Sequence, residues 1–227
     1  MKRHRTQSGF TLLEVLGILS IVFVLALFML PRMARAKCKC GLRCINNLKQ
    51  VSLSFKQWSL DNNDRFPWQV STNDGGAKEW IGSGSVWQYF LVMSNELNTP
   101  KVLICPQDPV TQRWVANSFT FDPNIPGQSP FTNNNNVSYF VGVDAMNVQP
   151  AMFLTGDANL TLHGKPVKPG LLLLRTNNPV AWTEVLPHHG QGANIALVDG
   201  SVTSCADAGL RQLLKQSRVE TNRLAIP

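Results

Sequence analysis

The residues whose types and spacing could do chemistry fall into three sets. The first is a single residue. Glu14 is the only ionisable side chain in the apolar run FTLLEVLGILSIVFVLALFML at 10–30. A carboxylate placed a few residues into such a run is costly and calls for a counter-charge. The second set is the five cysteines, Cys38, Cys40, Cys44, Cys105 and Cys205. Cys38-x-Cys40-x3-Cys44 suggests thiolate chemistry, but no second pair at zinc-finger spacing follows it. The third set lies near the C-terminus, where His188, His189 and Glu184 are close in sequence. The carboxylates Asp157, Glu184 and Asp199 are candidate ligands for a hard cation such as calcium. The oxygen-rich stretch Asp61-Asn62-Asn63-Asp64 matches no complete calcium motif and reads as a helix-ending turn. With no G-x-S-x-G, H-E-x-x-H or phosphate loop, no enzyme is expected, and no cofactor other than that calcium.

The elements that must position these groups begin with the apolar run itself. As a helix it covers about 30 Å, the thickness of a bilayer's hydrocarbon core, which predicts a transmembrane helix at 10–30. The run exceeds the secretory h-region of about 7–15 residues, and no A-x-A site follows it. Lys2, Arg3, His4 and Arg5 would hold the N-terminal end in the cytoplasm. A single-pass inner-membrane protein with an extracytoplasmic head is therefore expected. The basic cluster after the run (Arg32, Arg35, Lys37, Lys39 and Arg43) opposes this orientation. From 31 to 60 the pattern continues as an amphipathic helix, with Ile45, Leu48, Val51, Leu53, Phe55, Trp58 and Leu60 on its apolar face.

Residues 61–227 predict a globular α+β head, with the long N-terminal helix packed on a small antiparallel β-sheet with long loops. A short helix is expected at 87–92, and strands at 102–105, 137–143, 171–175, 180–182 and 193–198. Residues 117–136, rich in Pro and Asn, read as an exposed loop, and 211–218 as a final helix. Asp199-Gly200 marks a hairpin turn returning through Ser201-Val202-Thr203. The net charge of +7 is concentrated near the apolar run and not spread over a duplex-binding face, so nucleic acid is not an expected partner.

Two stretches carry a family resemblance. Ser8-Gly9-Phe10-Thr11-Leu12-Leu13-Glu14 closely resembles the class III signal of type IV pilins and type II secretion pseudopilins. The resemblance implies a leader at 1–9 that a prepilin peptidase removes after Gly9, with methylation of Phe10 as the new N-terminal residue. It implies that Glu14 guides subunit addition, and that Pro31 is a helix-kinking proline. Cleavage would place the new α-amino group four residues from Glu14 as its counter-charge. The second stretch, HGQGANIALVDG, is similar to the H-x9-DG signature of a large group of prepilin-processed proteins, carried here by His189, Asp199 and Gly200. CINNLKQ, DNNDRFP, TPKVLICPQD, SYFVGVDA and TGDANL resemble that group as well, although Ala158 stands where its members often have a basic residue.

The resemblance implies a structural subunit of a type II secretion pseudopilus or a type IV pilus-like fiber. Its partners would be the prepilin peptidase, copies of itself, other pilin-like subunits, and the secretion or pilus assembly machinery. A membrane-tethered module that binds polysaccharide or another ligand through Trp68, Trp80, Trp87 or Trp114 is the alternative. An extracytoplasmic head permits disulfides, and Cys44 with Cys105 is the preferred pair, tying the long helix to the sheet. Cys38 and Cys40 would be unpaired or linked between subunits. For His189 the preferred role is structural, as a hydrogen-bonding group that fastens the preceding loop to the Asp-Gly hairpin.

Overall fold

The computed structural model describes residues 12–34, 39–120, 122, 124–183, 189 and 192–227. The leader, Gly9, Phe10, Cys38, Glu184 and His188 lie outside the described residues. The chain divides into two compact units, Met1–Lys39 and Cys40–Pro227.

In the first unit, α1 covers Leu12–Ala34 and carries Glu14 in its first turn, where the helix dipole favours an acidic side chain. Pro31, expected to kink a continuous helix, lies inside α1 close to its end. Leu13, Leu16 and Leu19 are 83%, 60% and 61% exposed. Exposed apolar residues recur on every side of the helix from 12 to 22. Two expectations are corrected here. Among the described residues no helix is long and apolar enough to cross a membrane. The membrane-spanning first half of the helix and the single-pass inner-membrane placement are therefore not supported. Helix α2 covers Lys39–Asp61, and residues 35–38, across which the single helix was expected to continue, lie outside the described residues.

The second unit is α+β. Helix α2 buries Cys44, Leu48, Val51, Phe55 and Trp58, alternating steps of four and three that keep one face inward. Leu53 and Leu60, expected on that face, are 67% and 73% exposed. Two left-handed residues, Asn63 (φ 58°) and Asp64 (φ 56°), turn the chain after the helix, a conformation that Asn and Asp tolerate. Phe55 then meets Phe66, Trp68 and Phe90 at ring-centroid distances of 6.3, 5.3 and 5.8 Å. The indole N–H of Trp68 donates to the Ala145 carbonyl at 2.9 Å.

Short helices α3 (Trp87–Leu91) and α4 (Ser94–Leu97) follow. The strand expected at 102–105 is instead a 3-10 turn at Pro100–Leu103. Pro100 suits the first helical position, and the Thr99 hydroxyl accepts from the Lys101 N–H, so the local chemistry starts a helix. The stretch 117–136, expected to be an exposed loop, buries Phe131 and Asn136. The Asn136 side chain accepts from the Thr132 N–H at 3.0 Å and donates to the Trp114 carbonyl at 3.2 Å.

The main sheet has six antiparallel strands: β1 (Tyr139–Gly142), β2 (Phe153–Asp157), β5 (Gly170–Arg175), β7 (Ala193–Leu197), β8 (Val202–Cys205) and β9 (Thr221–Ile226). Their order is β5-β9-β1-β2-β7-β8. A second sheet pairs β3 (Leu160–Leu162) with β4 (Lys165–Pro166) and β6 (Val180–Trp182). Helix α5 (Asp207–Gln216) completes the fold.

Apolar cores lie on both faces of the main sheet. One joins the α2 face and the aromatic cluster to Tyr139, Val141 and Leu154. The other joins Phe140, Phe153 and Ile195 to Trp182 and to Leu210 and Leu214 of α5. The alternation of Tyr139, Phe140 and Val141 between the two cores is the period of two expected of a strand covered on both sides. Gly142 is required by close approach, because a Cβ there would overlap the Phe153 carbonyl.

Candidate functional site

Cys44, on the buried face of α2, is joined to Cys105 by a disulfide. Three hydrogen bonds place the Cys105 segment. The Cys105 N–H donates to the Ser138 hydroxyl at 3.0 Å, the Ser138 N–H donates to the Leu103 carbonyl at 2.8 Å, and the Asn47 amide donates to the Ile104 carbonyl at 3.2 Å. The bridge thus binds α2 to the loop that runs into β1.

His189 comes to this bridge. Its Nε2 is 3.5 Å from Cys105 Sγ and 3.3 Å from Asp157 Oδ2. The side chain is 7% exposed and that of Asp157 is fully buried. Asp157 ends β2, and its Oδ2 also accepts from the backbone N–H and side-chain amide of Asn194 on β7, at 2.8 and 3.0 Å. A carboxylate is costly to bury without donors; here Oδ2 has two from Asn194, with His189 Nε2 beside it. Asp157 Oδ1 has no hydrogen-bond partner among the described residues. Tyr139 is opposite Asp157 in the β1–β2 register. Burial pushes its phenol well above the ordinary range, and the Asp157 charge acts in the same direction.

The other end of the H-x9-DG motif is a turn. The Gly200 N–H donates to the Leu197 carbonyl at 3.0 Å, the Leu197 N–H donates to the Ser201 carbonyl at 2.9 Å, and the Asp199 carboxylate accepts from the Ser201 N–H at 2.8 Å. Gly200 has φ +87°, which fits a three-residue hairpin loop that closes on a left-handed glycine. Asp199 is exposed. It lies five residues along β7 from Asn194, roughly 17 Å at strand rise.

Asp157 and Asp199, two of the carboxylates weighed for calcium, therefore lie towards opposite ends of the β2–β7 pair. Glu184 falls outside the described residues. His189, expected to fasten the preceding loop to the hairpin, has its ring beside Asp157 of β2 and the disulfide, and Asp157 in turn holds Asn194 in the first strand of that hairpin.

The tryptophans do not make one platform. Trp68 is 2% exposed, Trp87 packs edge-on against Phe131, and Trp80 and Trp114 are exposed. A cavity of about 480 Å³ lies instead beside Arg113, Asn134, Asn159 and Pro227. Arg113 is fixed by Asp108 at 2.7 Å and donates to the Asn134 carbonyl at 3.1 Å. Cys205 is outside any disulfide, and burial pushes its thiol up to about 11, which suppresses the reactive thiolate.

Sequence reasoning missed Asn194 and the junction of His189 with Cys105. The signal for Asn194 lay inside the motif, between the histidine and the turn. No signal joined residues 84 positions apart. No family model, curated protein or solved structure matches the chain.

Proposed function

We propose that the chain is a pilin-like structural subunit, processed by a prepilin peptidase after Gly9 and assembled through α1 into a type IV pilus-like or type II secretion pseudopilus fiber. The observation that carries this reading is α1 itself. It is apolar on every side over 12–22, its described side chains are exposed, and it belongs to a unit of its own. A helix of that kind is stable when other apolar surface covers it. Copies of the same helix supply such surface in the axis of a fiber. Glu14 in the first turn of α1, four residues beyond the Gly9–Phe10 bond, supports the same reading, because the new α-amino group of Phe10 provides charge at the right place. The head, with its two cores and covalent bridge, would then be the folded body that each subunit displays.

Intact mass and electron microscopy test the proposal together. Protein isolated from cells that contain the peptidase should have the mass of N-methyl-Phe10 through Pro227. Glu14→Ala should leave the head folded and abolish fibers. An intact Met1, or normal fibers from Glu14→Ala, would overturn the reading.

A further inference from the structure

Cys44 Sγ, Cys105 Sγ and His189 Nε2 all lie within 4.8 Å of one another. We propose that, with the two cysteines reduced, this junction is a zinc-class metal site whose ligands are the Cys44 and Cys105 thiolates and the His189 imidazole. Two sulfurs and one imidazole nitrogen are a borderline-soft donor set, suited to Zn²⁺ and poorly suited to calcium or magnesium.

The spacing fits. Around a tetrahedral zinc, a sulfur at about 2.3 Å and a nitrogen at about 2.0 Å are roughly 3.5 Å apart, and a nitrogen and a carboxylate oxygen roughly 3.3 Å. Cys105 Sγ to His189 Nε2 is 3.5 Å, and His189 Nε2 to Asp157 Oδ2 is 3.3 Å. Asp157 is thus placed to fill the fourth position or to hold a water there, and Asn194 orients its carboxylate through two hydrogen bonds, as outer-shell groups do in zinc sites. Both cysteines are buried, so the ion would be shielded from solvent. The ligands come from α2, from the loop before β1 and from the segment before β7.

Metal and disulfide exclude each other because they use the same two sulfurs. Reduction by a trialkylphosphine makes the change stoichiometric. The disulfide takes two electrons and two protons to give two thiols, while the phosphine becomes its oxide with oxygen from water. Zn²⁺ then binds as the two thiols release two protons to solvent, with His189 a neutral ligand through Nε2 whose one ring proton is on Nδ1. The junction would therefore be held by metal in the thiol state and by a covalent bond in the oxidised state. This inference is independent of whether the chain forms a fiber.

The test uses the full chain, with Cys38, Cys40 and Cys205 changed to Ser so that only the two site cysteines remain. After phosphine reduction and anaerobic removal of the reagent, the protein is titrated with Co²⁺ and then with Zn²⁺. One equivalent of cobalt should give the charge-transfer and d–d bands of a tetrahedral thiolate site, and zinc should displace it. The oxidised protein should give no such bands. His189→Ala should weaken binding by more than about tenfold while circular dichroism shows the fold intact, and Cys105→Ser should abolish the thiolate bands. The absence of a tetrahedral cobalt spectrum in the reduced protein would overturn the proposal. So would binding that His189→Ala changes by less than tenfold. Because His189 is not part of the covalent bridge, its variant decides the matter even if Cys105→Ser fails to fold.

Discussion

Helices α1 and α2 are each 23 residues long, yet they relate to the rest of the chain in opposite ways. Helix α1 is apolar on all sides over 12–22, and its described side chains are exposed. Helix α2 alternates, burying Cys44, Leu48, Val51, Phe55 and Trp58 while leaving Leu42, Leu53 and Leu60 outside. Length and helicity are the same, so they cannot assign the roles. The arrangement of apolar residues does: one stripe is buried in the core of its own unit, whereas apolarity on every side gives a helix without a polar face.

The sharpest way to break this contrast is the same truncation in each helix. Phe55→Ala should destabilise the head by about 3–5 kcal/mol, the usual loss for a buried aromatic. Leu19→Ala should change head stability by less than about 0.5 kcal/mol. Urea unfolding followed by tryptophan fluorescence measures both; equal effects would mean that α1 also packs on the head.

The next largest effect sharpens what fixes α2. Cys44→Ser opens a bridge with a sequence separation of 61 and should cost about 2–4 kcal/mol. The comparison is made by thermal unfolding of oxidised wild type and variant, with the phosphine-reduced, metal-free wild type expected to resemble the variant.

Smallest is an acid effect confined to one turn. Glu79 accepts from the Thr72 N–H at 2.8 Å and the Ser71 hydroxyl at 2.9 Å. These bonds, the backbone one foremost, lower its pKa from 4.5 to about 2. A carboxyl lowered in the folded state stabilises fully above its unfolded value and loses that contribution as pH falls through the folded one. The Thr72 amide should therefore lose exchange protection between pH 4.5 and 2. Glu79→Gln should remove that pH dependence and leave α2 protection unchanged.

Much of the head was legible because strand chemistry is local. Residues 171–175, 180–182 and 193–198 are apolar runs between turn signals, and each contains a strand. Asp199-Gly200 announced its hairpin. Other strands were hidden by composition. Thr-Asn-Arg at the start of β9 becomes strand by pairing with β5, and Thr-Gly-Asp in β2 by burial on both faces, and neither depends on local propensity. At 102–105 the apolar letters suggested a strand, but Pro100 and Thr99 acted locally and won. The expected transmembrane helix came from counting apolar letters at 10–30, and the structure does not support it. The His189 junction was illegible for another reason. H-x9-DG directs attention along β7 towards its turn, whereas His189 makes its contacts across the fold, to residues supplied by α2, β2 and the loop before β1.

The position of β9 sets a timetable. It lies between β5 and β1, pairing Val141 with Ala225 and Leu172 with Leu224, so the sheet cannot close until the chain beyond Thr221 has been made. At about 5–20 residues per second, roughly 10–40 s separate synthesis of the end of α1 from that of β9. Throughout that interval an exposed apolar helix is attached to an unfinished body, and the half-built sheet has open edges. A newly made chain must therefore be kept from its neighbours for tens of seconds, and a delay in synthesis late in the head would prolong the period in which it can aggregate.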